Sequence, residues 1–171
     1  MTKRRALYSL VTLLVVLVVA TIQVNSQYEK LVESIEFSES LWSDMFVERS
    51  EILDYINTWR DPYSESATDY FIEESREVNK RYAKSFAVVR DSIKRISLLP
   101  WNRAHRNVKT EYLRHIGVRV SNLEKGGEKL RTLELETTWD QFCSQATKSS
   151  PLLAFGRYDT RLAQICARGI D

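Results

Sequence analysis

Seven residues carry the side chains from which chemistry could be assembled: His105, His115, Glu111, Glu136, Asp140, Cys143 and Cys166. Two histidines ten positions apart on one helix stand about 15 Å apart along the axis and about 80° apart around it, so they cannot chelate one ion together. Glu111 and His115 share a helical face at i,i+4. The metalloprotease pattern needs His-Glu-x-x-His, and a di-metal bundle needs Glu-x-x-His from two helices. Neither pattern occurs, and the pair reads as a surface ion pair. Glu136 and Asp140 share a face in the same way and read as solvated carboxylates, with no companion acid to divide acid and base roles. The chain has no Gly-rich phosphate loop, no Gly-x-Ser-x-Gly and no Cys/His dyad close in sequence. No catalytic, cofactor-binding or metal-binding residue is therefore assigned, no cofactor is expected, and nothing points to nucleic acid.

The two cysteines stand outside any Cys-x-x-Cys spacing. In an oxidising space a Cys143–Cys166 bridge would stabilise by roughly 3 kcal/mol in the chain-entropy picture. The alternative is that each fills a core position as a small hydrophobe.

The compartment is set by the N-terminus. Lys3, Arg4 and Arg5 precede an apolar run over residues 6–24 that contains no ionisable group except the Tyr8 phenol. As a helix it would reach roughly 28 Å, close to the bilayer core of about 30 Å. A secretory signal has a shorter apolar region and a small-residue cut site, for which Val18-Val19-Ala20 is an imperfect candidate. A retained anchor is the favoured reading and a cleaved signal is the alternative. The positive charges orient the chain with residues 1–5 cytoplasmic and the bulk of the protein extracytoplasmic, as a single-pass protein of the cell membrane.

Composition favours helices beyond the anchor. There are only five Gly and three Pro among 171 residues, and 28% are charged. The net charge of +2 conceals an asymmetry. Residues 27–60 hold eight acids and three bases, whereas residues 94–131 hold ten bases and three acids. Facing helices would satisfy that complementarity internally, and a basic stretch facing anionic lipid is the alternative.

Apolar periodicity places the elements. Tyr28, Ile35, Trp42 and Ile56 repeat in one heptad register and Leu31, Met45, Ile52 and Trp59 in the other, with lapses at Ser38 and Arg49. Asp61-Pro62 stops this helix. A second stripe, Phe71, Val78, Tyr82, Phe86, Val89, Ile93 and Ile96, ends at Pro100. A third begins near Arg103 with Val108, Tyr112, Ile116, Val120, Leu123, Leu130 and Leu133. Its phase passes through Gly127, so a continuous or kinked helix is expected there, although two glycines cost about 2 kcal/mol. A second stripe, Leu135, Trp139, Phe142 and Ala146, follows. Ser149-Ser150-Pro151 then opens a short helix carrying Tyr158, Leu162 and Ile165.

The expected fold is all-α: an N-terminal transmembrane helix, an elongated antiparallel three-helix bundle over residues 27–148, and a short C-terminal helix over residues 149–171 linked to it by the disulfide. A four-helix arrangement is the alternative if Gly126-Gly127 divides the third helix. The hairpin of the first two helices would bring Leu98, Leu99, Trp101, Arg103 and Arg106 back to the membrane, where Trp suits the headgroup zone and Arg suits anionic lipid. The competing reading is that Leu98, Leu99 and Trp101 close the bundle while Lys94, Arg95, Arg106 and Lys109 neutralise Glu29, Glu33, Glu36 and Glu39.

Tyr28, Leu31-Val32 and Trp42-Ser43-Asp44 are loosely similar to the membrane-anchored long-helix LemA family. The likeness covers one helix and lacks that family's Pro-Asn-Leu stretch, so no family is assigned. The expected function is binding, as a scaffold, regulator or accessory subunit of an envelope complex, through a protein partner or self-association. A sensor holding a small molecule beside Trp139 or Tyr112, and an enzyme with a site assembled from distant residues, are the alternatives from other classes.

Overall fold

The computed structural model describes residues 2–100, 102–126, 133–148 and 156–169. They form five helices: α1 (Thr2–Ile56), α2 (Glu65–Arg95), α3 (Arg103–Glu124), α4 (Leu133–Ala146) and α5 (Gly156–Ala167). There is no strand among the described residues.

The 55-residue α1 is about 80 Å long. No Gly or Pro occurs before Pro62, so nothing in the sequence interrupts its hydrogen-bond ladder. Ser64 caps α2 by accepting from the Ala67 N–H, and Lys94 and Arg95 lie in the last turn, where cations favour the carbonyl end. Asn102 caps α3 in the same way through the His105 N–H. Glu134 and Glu136 occupy the first turn of α4, where negative charge is favoured.

Side-chain pairings fix the directions. Trp42 meets Phe86 and Arg49 meets Asn79, so α1 and α2 are antiparallel. Lys109 reaches the carbonyls of Lys94 and Ile96 while Asn79 reaches Gly126, so α3 turns back along α2. Tyr112 meets Phe142 and Arg114 meets Gln141, so α4 reverses again. The last helix, α5, packs against both α1 and α4 and completes the bundle on that side. The apolar faces converge on one core that runs through α1 to α5.

Most of the expected core is in place. Tyr28, Leu31, Ile35, Trp42, Met45 and Ile56 are buried on α1, as are Val78, Phe86, Val89 and Ile93 on α2 and all four members of the Leu135 to Ala146 stripe on α4. Leu162 and Ile165 are buried on α5. The side chain of Tyr158, and Leu130, Gly127 and the Ser149-Ser150-Pro151 start, lie outside the described residues.

The third helix is not continuous. It ends at Glu124, and Gly126 adopts φ +99°, in the left-handed region that residues with a Cβ avoid. The Gly126 carbonyl accepts from Asn79 Nδ2 at 3.0 Å, which fixes the end of the helix against α2. The arrangement is the four-helix alternative, with α5 beside it. Leu133, expected in the core stripe, is 80% exposed at the start of the new helix.

Among the described residues no helix is long and apolar enough to cross a membrane. The side chains of residues 1–10, 17, 20, 21, 24 and 25 lie outside the described set, and the expected span over residues 6–24 falls partly there.

A Cβ added at Gly126 would meet nothing within 4 Å, so substitution there acts through backbone conformation alone. Gly126→Ala is expected to lower the unfolding free energy by about 1–2 kcal/mol in chemical denaturation. An unchanged midpoint would contradict the left-handed cap.

Candidate functional site

Cys143 and Cys166 stand at disulfide distance, with Cα atoms 5.6 Å apart, and join α4 to α5. Their burial beside the core is compatible with both readings of the sequence, and their proximity favours the bridge.

The expected interfacial turn divides in two. Leu98 is half-buried and packs on the core, and Leu99 is half-buried as well. Arg103 and Arg106 are exposed, and Trp101 lies outside the described residues. Lys109 does not neutralise the acids of α1. Its Nζ donates to the carbonyls of Lys94 at 2.9 Å and Ile96 at 2.7 Å, closing the C-terminal end of α2, and burial lowers its pKa. The turn sits beside the lower part of α1, where a cavity of about 80 Å³ is lined by Gln23, Gln27, Ser97, Leu98, Asn102 and His105 among others.

At that level the rings of His105 and Tyr28 stack, with centroids 3.5 Å apart and planes 7° from parallel. Asn102 Nδ2 lies 2.7 Å from His105 Nδ1, and donation there requires that nitrogen to be unprotonated. Burial pushes the imidazole pKa down to about 4. Both features keep His105 neutral.

Higher in the bundle is a polar network that sequence reasoning missed. Arg119 on α3 is fully buried and makes a two-pronged ion pair with Glu39 on α1, at 2.7 and 2.8 Å. The Tyr112 hydroxyl donates to the same carboxylate at 2.7 Å. The guanidinium lies over the Trp42 ring at 4.4 Å and faces the Trp139 ring at 5.6 Å. A buried cation is tolerated when it is paired, hydrogen-bonded and stacked in this way. The sequence held one signal: Tyr112, Ile116, Arg119 and Leu123 follow core spacing, so Arg119 occupies a position where an apolar residue belongs.

His115 is part of the same buried layer and does not form a surface ion pair with Glu111. It is fully buried, its Nδ1 lies 3.0 Å from Thr138 Oγ1, and its ring faces Trp139. Burial first, and the nearby Arg119 charge second, hold its pKa well below the usual histidine value. Tyr112 is shifted well upward, by burial first and by the Glu39 charge second. These groups are therefore held in their neutral forms inside the bundle.

Beside the network, a cleft of about 430 Å³ opens between α1 and α5. Trp42 and Glu39 reach it from the core side, and Glu36 pairs with Arg161 across it. Tyr112 and Trp139 themselves are buried, with Phe142 packed against both. They are enclosed by side-chain packing.

Glu136 and Asp140 are exposed, as a solvated face requires. Among the described residues no group of three or more His, Cys, Asp or Glu could hold a metal ion. No family model, no curated protein and no solved structure matches the chain.

The His105 shift has a definite sign. Its folded pKa lies below the unfolded value of about 6.5, so below that pH the unfolded chain takes up the proton first. Its stabilising contribution is complete above about pH 6.5 and is lost as pH falls towards 4. His105→Phe, which keeps an aromatic ring against Tyr28, should show a shallower loss of stability between pH 7 and 4.5 than the parent. Parallel curves for the two proteins would refute a histidine held neutral.

Proposed function

We propose that the chain is a single-pass membrane protein whose extracytoplasmic helical bundle acts by binding, as a scaffold, regulator or accessory subunit of an envelope complex. Residues 6–24 span the bilayer, residues 1–5 stay on the cytoplasmic side, and the partner is another protein or a second copy of the chain. No catalytic step is part of this reading.

The observation that carries it is the surface of the first part of α1. Val11, Leu13, Leu14, Val15, Val16, Val18, Val19 and Ile22 are between 51% and 63% exposed. Consecutive residues point to all sides of a helix, so this apolar surface is not one face awaiting one partner. A hydrocarbon environment covers such a cylinder without requiring any particular contact. Lys3, Arg4 and Arg5 at its start supply the orienting charge.

Two further features support the same geometry. The helix runs without interruption from the apolar run into the bundle, which makes α1 one stalk. The turn between α2 and α3 returns to the level of Gln23 and Gln27, at the end of that run. Leu98, Leu99, Arg103 and Arg106 would there meet the headgroup zone, and the Cys143–Cys166 pair suits an oxidising compartment.

The test is extraction of the full-length protein from membranes with alkaline carbonate, together with the mass of the recovered chain. Retention in the membrane pellet with residues 1–20 intact is expected, and protease added from the outer side should remove the bundle. Release into the supernatant, or a mature chain starting after Ala20, would replace the anchor with the secreted alternative.

A further inference from the structure

Another cavity opens away from the Arg119 network and has a different chemistry. It is a groove of about 840 Å³ along α2, bounded by the end of α3 and by Arg49 of α1. Arg76, Lys80, Lys84 and Lys125 stand around it with Arg49, and Glu124 is the acid among its described lining residues. The floor is apolar, from Phe71, Ile72, Ala83 and Leu123 among others. Its volume is in the range of small-molecule sites.

Two polar groups in the groove are unlike a solvated surface. Ser75 is 6% exposed, lines the groove, and its buried Oγ has no hydrogen-bond partner among the described residues. A buried hydroxyl without a partner is costly, and a ligand accepting its proton would remove that cost. Arg49 is half-buried and donates to Asn79 Oδ1 at 3.3 Å, with no carboxylate at ion-pair distance among the described residues. Asn79 in turn holds Gly126, so the cation is attached to the point where α1, α2 and α3 meet.

We propose that this groove binds a small anion, a phosphate or carboxylate group carried on an apolar body, with the anionic head between Arg49 and Ser75 and the body against Phe71, Ile72 and Leu123. The guanidinium supplies charge-assisted donors, the hydroxyl supplies a neutral one, and the lysines raise the local concentration of anions. The inference goes beyond the binding role proposed above and does not depend on membrane anchoring, so either can fail without the other.

The test is calorimetric titration of the full-length protein in phosphatidylcholine nanodiscs with 1-naphthyl phosphate, 1-naphthoate, inorganic phosphate and neutral naphthalenemethanol. Saturable binding of 1-naphthyl phosphate or 1-naphthoate is expected, and the stronger of the two identifies the head group. Inorganic phosphate should bind at least about tenfold more weakly, and naphthalenemethanol should give no saturable isotherm. Arg49→Gln should weaken the naphthyl ligand about tenfold or more. Ser75→Ala should weaken it several-fold while folding at least as well as the parent, because it deletes an unpaired hydroxyl. Arg60→Gln, an exposed charge in the α1–α2 turn, should leave the isotherm unchanged. The proposal is overturned if neither naphthyl anion binds saturably, if inorganic phosphate binds equally well, or if Arg49→Gln and Ser75→Ala bind like the parent.

Discussion

A carboxylate in the middle of the bundle receives three hydrogen bonds, and the helices are arranged around it. Glu39 projects from α1 and is held by both prongs of Arg119 and by the Tyr112 hydroxyl, all from α3. A fully buried guanidinium left without its partner would be far more costly than an unfilled apolar contact. Sliding α3 by one turn along α1 would move Arg119 about 5 Å from the carboxylate. Apolar contacts alone tolerate such shifts better, since they have no directional requirement.

The aromatic layer depends on the same constraint. With Arg119 fixed, the rings of Trp42 on α1 and Trp139 on α4 lie 4.4 and 5.6 Å from its guanidinium, and Phe142 and His115 pack around Trp139. These contacts carry the register from α1 and α3 to α4. The Cys143–Cys166 pair carries it on to α5, where Arg161 returns to Glu36 on α1. The loop of interactions closes one turn from Glu39. At the lower end the Tyr28–His105 stack repeats the theme of a polar ring buried between α1 and α3. The α2–α3 turn therefore stays beside the base of α1, as the proposed membrane geometry requires.

Much of this fold was legible in the sequence because apolar spacing reports burial directly. The heptads of α1 and the stripe on α4 gave the buried residues almost position by position. Periodicity failed where a polar residue took a core position. Ser38, read as a lapse in the heptad, is fully buried, and Arg119, read as part of a basic stretch, is the centre of the core. Charge asymmetry between residues 27–60 and 94–131 did anticipate facing helices, and Glu39 with Arg119 is one instance of it. It could not say which pair would be internal, because pairing depends on depth in the bundle. The division at Gly126 was the alternative and not the favoured reading for another reason. Apolar phase continued through the glycines, whereas the deciding contact, from Asn79 to the Gly126 carbonyl, joins residues far apart in the chain.

The candidate site was less legible than the fold. Arg49 stood out only as a lapse in the heptad and Arg76, Lys80 and Lys84 lie off the apolar stripe of α2, and only packing against the end of α3 gathers them around one groove. The central claim is nevertheless the buried ion pair, and a double-mutant cycle tests it most directly. Unfolding of Arg119→Ala, Glu39→Ala and the double variant would be followed by tryptophan fluorescence, which Trp42 and Trp139 report beside the guanidinium. Each single change is expected to cost about 3–5 kcal/mol, with the double variant costing little more than either one. Single costs below about 1 kcal/mol that simply add, as for an exposed pair, would contradict the account.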